Sequence, residues 1–180
     1  MKLGHNGAEL DALDRRILAL LQRNCKLPLV KIAEHVGLSA PSVIDRIRRL
    51  EERGVIRGYS AILDARKLGK EITAFIGVLI SHPGLIDGFE RAIERLNDVL
   101  ECHHVTGVHT LFLKVKTADT SSLERLIGVL RSIEGVERTE TMIVLSTHTE
   151  RLQPPIETDA VPAERRGARA ADADKPAGRE

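Results

Sequence analysis

The stretch between Gly37 and Gly54 constrains this chain more than any other. Ser39, Ala40, Pro41 and Ser42 open it, and Val43, Ile47 and Leu50 follow at spacings of four and three. That spacing places the three apolar side chains on one stripe of a helix. A serine hydroxyl at position 39 accepts from the free amides of a first turn, and Pro41 sits where a missing N–H costs nothing. Glycine at 37 and at 54 supplies the left-handed residue that ends a helix cheaply. The chain is therefore expected to contain a short, well-bounded helix from Ser39 to about Arg53.

Two helices precede it. Leu10, Leu13, Ile17, Leu20 and Leu21 recur with helical spacing over 10–23, and Asp11 and Asp14 lie in the first turn, where the helix dipole favours negative charge. Val30, Ile32, Ala33 and Val36 form the apolar set of a second helix over 28–36. A run from Val55 to Tyr59 reads as a short strand. Three short helices joined by a tight Gly37-Leu38-Ser39 turn make a helix-turn-helix, whose last helix is the one that enters a DNA major groove. With Val43, Ile47 and Leu50 turned inward, that helix presents Ser42, Asp45, Arg46, Arg48 and Arg49. Arginine pairs with guanine edges and serine reads several bases. Ser39, Pro41 and Ser42 lie nearest the DNA at the helix start, while Arg49, Arg53 and Arg57 are placed to neutralise phosphates. A competing use for these arginines is local pairing with Asp45, Glu51 and Glu52.

Residues 61–71 read as a connector. Beyond them, Ile72–Ile80 is an almost unbroken apolar run and a buried strand. Residues 85–96 are helical, and 99–106 and 110–117 are strands around a turn at Gly107. A helix capped by Thr120 or Ser121 carries Leu123, Leu126, Ile127, Leu130 and Ile133, and 136–146 is a last strand. The order β-α-β-β-α-β is that of a ferredoxin-like domain. The fold class is α+β: a DNA-binding domain over 10–60, a linker over 61–71, a ferredoxin-like domain over 72–150 and a tail over 151–180. The tail, rich in Ala, Pro, Arg, Glu and Asp, holds too few aliphatic residues to offset the entropy of ordering and is expected to be disordered.

Charge follows the same division. Residues 1–60 hold 11 Lys and Arg against 7 Asp and Glu, whereas 61–150 hold 10 against 13. The basic surplus belongs to the helix-turn-helix and suits an anionic partner. Three Phe, one Tyr and no Trp leave few stacking platforms for single strands, so double-stranded DNA is the expected partner. No apolar run approaches the length needed to span a bilayer, and Cys25 and Cys102 form no disulfide pattern. A cytoplasmic protein is expected.

Three runs resemble the Lrp/AsnC family of feast/famine regulators: Gly37-Leu38-Ser39-Ala40-Pro41-Ser42-Val43, Arg46-Ile47-Arg48-Arg49-Leu50-Glu51 and Gly54-Val55-Ile56-Arg57-Gly58-Tyr59. Leu13 to Gln22 also fits, as does Glu101-Cys102-His103-His104-Val105-Thr106-Gly107, and the likeness spans about 10–150. It implies a winged helix-turn-helix joined to a ferredoxin-like RAM domain, in a sequence-specific transcription regulator linked to amino acid or nutritional state. It further implies homodimers paired through the sheets, assembled into tetramers or octamers, with an amino acid as effector near the turn after the second strand. Gly107 and Thr110 are the pocket residues so implied. The family's turn carries an Asp where this chain has Thr110, which offers no charge to an α-ammonium. That departure gives weight to an alternative, a low-specificity architectural protein that wraps DNA without an amino acid effector.

No catalytic role is expected. Asp64, Glu71, His82 and Asp87 make no recognisable set, and there is no phosphate loop or nucleophile elbow. Cys102, His103, His104 and His109 lack metal-ligand spacing and read as sheet residues, so neither metal nor cofactor is expected.

Overall fold

The computed structural model describes residues 10–157, and they divide into two compact units. One comprises residues 10–60 together with 152–157; the other is Ala61–Arg151.

The first unit is built on three helices, α1 (Ala12–Arg23), α2 (Leu29–Val36) and α3 (Ala40–Glu52). Asp11 caps α1, its carboxylate accepting from the Asp14 amide at 2.7 Å. Gly37 ends α2 at φ 73°, and Ser39 caps α3 by accepting from the Ser42 amide. Pro41 stands in the first turn of α3. Ile17, Ile32, Ala33, Val36 and Val43 form the core, with Leu13, Leu20 and Ile47 packed around it. Fully burying each of the Ile and Val side chains stabilises the unit by about 1.5–3 kcal/mol.

The strand expected over Val55–Tyr59 is not formed. A ladder needs a second strand, and this unit offers none among its described residues. Instead the Val55 and Ile56 amides donate to the Leu50 carbonyl at 2.9 and 3.1 Å, and the Tyr59 hydroxyl donates to Glu51 at 2.8 Å. The segment is thus folded back onto the end of α3. Of the tail, residues 152–157 carry no helix or strand, and the Pro154 carbonyl accepts from Gln22 Nε2 of α1 at 2.9 Å. The remainder of the expected tail lies outside the described residues.

The second unit is an antiparallel sheet of β1 (Ile72–Ile80), β2 (Val99–His104), β3 (Leu111–Thr117) and β4 (Val136–Ile143), in the order β2-β3-β1-β4. Helices α4 (Ile86–Ile93) and α5 (Thr120–Ser132) complete it. Strand alternation decides the faces. Ala74, Ile76 and Val78 of β1 and Leu111, Leu113 and Val115 of β3 are fully buried together with Phe89 and Leu130 from the helices. Phe75, Phe112, Lys114 and Lys116 occupy alternating positions on the opposite face. This is the expected ferredoxin-like topology.

Several boundaries differ from the sequence expectation for local reasons. The cap of α5 is Asp119, not Thr120 or Ser121: its carboxylate accepts from the Ser122 amide at 2.7 Å. Pro83-Gly84 hold the entry to α4 in a 3-10 turn, so the helix proper begins at Ile86. β4 is regular only to Ile143, although the Val144 amide keeps the register by donating to the Thr73 carbonyl at 2.9 Å.

Candidate DNA-binding surface

Helix α3 carries the surface. At 100° per residue, burying Val43 and Leu50 turns Pro41, Asp45 and Arg48 directly outward, with Ser42 and Arg49 beside them. Val43 and Leu50 are 0% and 1% exposed, whereas Ser39, Pro41, Ser42, Asp45, Arg48, Arg49, Arg53 and Arg57 are all exposed. The two serines at the helix start share a hydrogen bond, Ser39 Oγ to Ser42 Oγ at 2.9 Å.

Arg46 stands apart from this set. Its Nη1 donates to Asp11 Oδ2 at 2.6 Å and to Asp14 Oδ1 at 2.7 Å, and its side chain is only 22% exposed. The guanidinium therefore ties α3 to the first turn of α1. Two bonds from Arg46 to carboxylates, to Asp11 first and then Asp14, hold the arginine's pKa above its usual range against the opposing effect of burial. The Asp11 carboxyl is held below its ordinary value, first by the Asp14 amide and then by Arg46. Sequence reading placed Asp11 and Asp14 in the helix dipole alone. Nothing in the spacing of residues 32 and 35 positions apart signals that they share one arginine.

The outward arginines have other partners. Arg48 Nη2 donates to Asp45 Oδ1 at 3.4 Å, and its Nε lies 3.8 Å from Glu52 Oε1. Arg49 Nε donates to the Asp45 carbonyl at 3.2 Å. Glu51 takes the Tyr59 hydroxyl rather than an arginine. The outward ridge thus alternates in sign: Asp45 and Glu52 offset Arg48 and Arg49.

In the second unit, the turn between β2 and β3 brings Gly107 to φ 118°. Thr110 closes the turn with all its polar groups. Its amide donates to the Val78 carbonyl at 2.8 Å, its carbonyl accepts from the Val105 amide at 3.1 Å, and its hydroxyl accepts from the Ile80 amide at 3.1 Å. Neither Gly107 nor Thr110 lines either of two open grooves on this unit. One, of about 500 Å³, runs between α5 and β4 past Leu123, Ile127 and Ile143; the other, of about 390 Å³, lies between α4 and β2. Next to Thr110, the His109 ring packs over Gly77, 3.3 Å from Glu140. Phe75 and Phe112 stack at 5.8 Å on the same face of the sheet. Among the described residues, no three His, Cys, Asp or Glu side chains cluster as metal ligands.

Residues 10–51 match the model of the AsnC-type helix-turn-helix domain, and residues 73–154 match that of the Lrp/AsnC ligand binding domain. The HTH-type transcriptional regulator FL11 of Pyrococcus abyssi is 36% identical over 147 residues, covering 82% of this chain and 97% of that protein. The chain belongs to the Lrp/AsnC family. It is accordingly a helix-turn-helix transcription regulator. The leucine-responsive regulatory protein of Escherichia coli K12, in the same family, is 34% identical over 142 residues, covering 77% of this chain and 87% of that one. Solved Lrp/AsnC structures superpose along most of the chain. The feast or famine regulatory protein of M. tuberculosis, complexed with L-methionine, has a TM-score of 0.76 at 32% identity, with 81% of this chain and 99% of that one covered. E. coli AsnC has a TM-score of 0.74 at 28% identity, covering 78% and 95%.

Proposed function

We propose that this regulator recognises operator DNA with the outward face of α3, as a homo-oligomer in the cytoplasm, and has no catalytic activity. The observation that carries the reading is the ridge of Pro41, Asp45 and Arg48, exposed opposite the buried Val43–Leu50 seam, with exposed Ser42 and Arg49 flanking it. Ser39 and Ser42 sit where the start of a recognition helix meets the duplex. Arg48 is the candidate for a base edge, and Arg49, Arg53 and Arg57 for phosphates. Arg46 is assigned a different task, holding α3 against α1 so that this face is presented at a fixed angle. The domain division follows the same logic, with residues 10–60 binding DNA, 61–71 linking and 72–150 assembling and regulating.

The sheet face bearing Phe75, Phe112 and His109 is not the one packed on the helices, and a second sheet related by two-fold symmetry would cover it. Such a dimer reads a pseudo-palindromic site. The L-methionine complexes of the M. tuberculosis relative and of NMB0573 from Neisseria meningitidis make an amino acid the natural class of effector. The turn at Gly107 and Thr110 is the proposed region, reached in the assembled protein. The architectural alternative draws support from Thr110, whose hydroxyl is already engaged with Ile80. The alternating charge of α3 speaks against it, since sequence-independent binding draws on phosphate neutralisation, which Asp45 and Glu52 oppose on this face. Footprinting on the protein's own promoter region separates the two. Discrete protected half-sites one helical turn apart support specific regulation; diffuse protection at every sequence would replace it with wrapping.

A further inference from the structure

Asp45 is the anomaly of the α3 surface. It stands at the centre of the outward ridge, its side chain 61% exposed, where a carboxylate meets phosphate oxygens and base acceptors. A purely electrostatic surface gains nothing from an acid there. Its neighbours restrict what it can do. Arg48, one turn on, donates to Asp45 Oδ1 at 3.4 Å, and Arg49 Nε is fixed on the Asp45 carbonyl at 3.2 Å. The ridge therefore offers an acceptor and a guanidinium donor fork side by side, both exposed.

In the major groove a G·C pair presents two acceptors, guanine N7 and O6, next to one donor, cytosine N4. An Arg and an Asp in lateral contact present the complement of that pattern. Adenine N6 is also a donor, but the acceptor N7 lies beside it and repels a carboxylate; thymine O4 and guanine repel it outright. We infer that Asp45 and Arg48 read one G·C pair per half-site as a unit, Arg48 taking the guanine edge and Asp45 the cytosine amino group. Asp45 is the specificity-determining member. It fixes which strand carries the guanine and penalises every other pair. The inference rests on the reading that α3 enters the major groove.

The two residues make opposite predictions. Removing Arg48 takes away attraction, whereas removing Asp45 takes away both a specific contact and a general repulsion. Sites are selected from a random duplex pool with the full-length protein, and then measured for wild type, Asp45→Ala, Asp45→Asn and Arg48→Ala. The wild-type protein should favour G·C over the other three pairs at one position by about tenfold or more. Asp45→Ala should narrow that preference to what Arg48 alone confers, while binding the three disfavoured variants more tightly than wild type does. Asp45→Asn should move the preference toward adenine, which an amide grips at N6 and N7. Arg48→Ala should weaken binding to the G·C site most and so narrow the preference at that position. Since Asp45 is exposed in mid-helix, unchanged thermal melts are expected for its variants.

A wild-type protein without salt-sensitive affinity or a discrete selected site would overturn the groove reading itself. A discrete site whose base preference is as strong in Asp45→Ala as in wild type would overturn this inference alone. So would an equal loss of affinity on every sequence in that variant.

Discussion

Arg46→Ala tests the division of labour proposed for α3. The substitution removes two short bonds, to Asp11 and to Asp14, and leaves the outward ridge untouched. Their costs differ. Asp11 is 52% exposed and water replaces the arginine there, so that half contributes less than about 1 kcal/mol. Asp14 is only 11% exposed. Stranding one member of a fully buried pair costs about 3–5 kcal/mol, and the 22% exposure of Arg46 lowers that figure. Together the loss comes to about 2–3 kcal/mol, large against a domain stability of about 5–15 kcal/mol. For a unit of this size each kcal/mol moves Tm by about 4–8 °C, so the helix-turn-helix should melt about 8–24 °C lower. Thermal melts followed by far-UV circular dichroism measure this, with Asp14→Ala and the double variant completing a cycle. Bound at low temperature, Arg46→Ala should keep the wild-type order of base preferences. If Tm stays within a degree while preference at one base position relaxes, the arginine leaves its carboxylates to read DNA and the reasoning fails.

Other perturbations probe separate links. Arg49→Ala should weaken binding on all sequences and flatten the plot of log affinity against log salt by about one contact's worth; an unchanged slope removes it from the phosphate set. Asp11, with its carboxyl held below the ordinary range by the Asp14 amide and Arg46, contributes stability that is full above the unfolded value of about 3.9. That stability disappears as pH falls through the lower folded value. Acid unfolding of wild type should therefore be steeper in that window than that of Asp11→Asn, and superimposable curves would refute the linkage. Thr110→Val strands the Ile80 amide and should cost about 1–3 kcal/mol in denaturant melts of the sheet unit, without altering the salt slope of DNA binding. A methyl at Gly77 would lie 2.5 Å from the His109 ring, so Gly77→Ala should destabilise by about 1–3 kcal/mol and His109→Ala should rescue it. Failure of the rescue would place the cost elsewhere.

Much of the fold could be read in advance because its signals are periodic. Val43, Ile47 and Leu50 marked the inward stripe of α3, and Leu111, Leu113 and Val115 marked one face of β3. Ser39 and Gly37 marked the cap and the turn, since the requirement for a hydroxyl or a positive φ is local. What escaped was decided by pairing at a distance. The run at Val55–Tyr59 has strand composition but no strand to meet, so it folds back on Leu50 and Glu51. Arg46 looks like its neighbours Arg48 and Arg49 in sequence, and only the packing of α3 on α1 sets it beside Asp11 and Asp14. The same holds at Thr110. Its lack of charge was visible, but its bond to the Ile80 amide depends on the approach of β1.

The measurement closest to the central claim is the affinity of the full-length protein for its selected duplex and for a scrambled one, across salt concentrations. Recognition by the outward face of α3 predicts at least a thousandfold preference for the selected duplex, with affinity for both falling as salt rises. Equal affinity for the two duplexes, or affinity indifferent to salt, would contradict it.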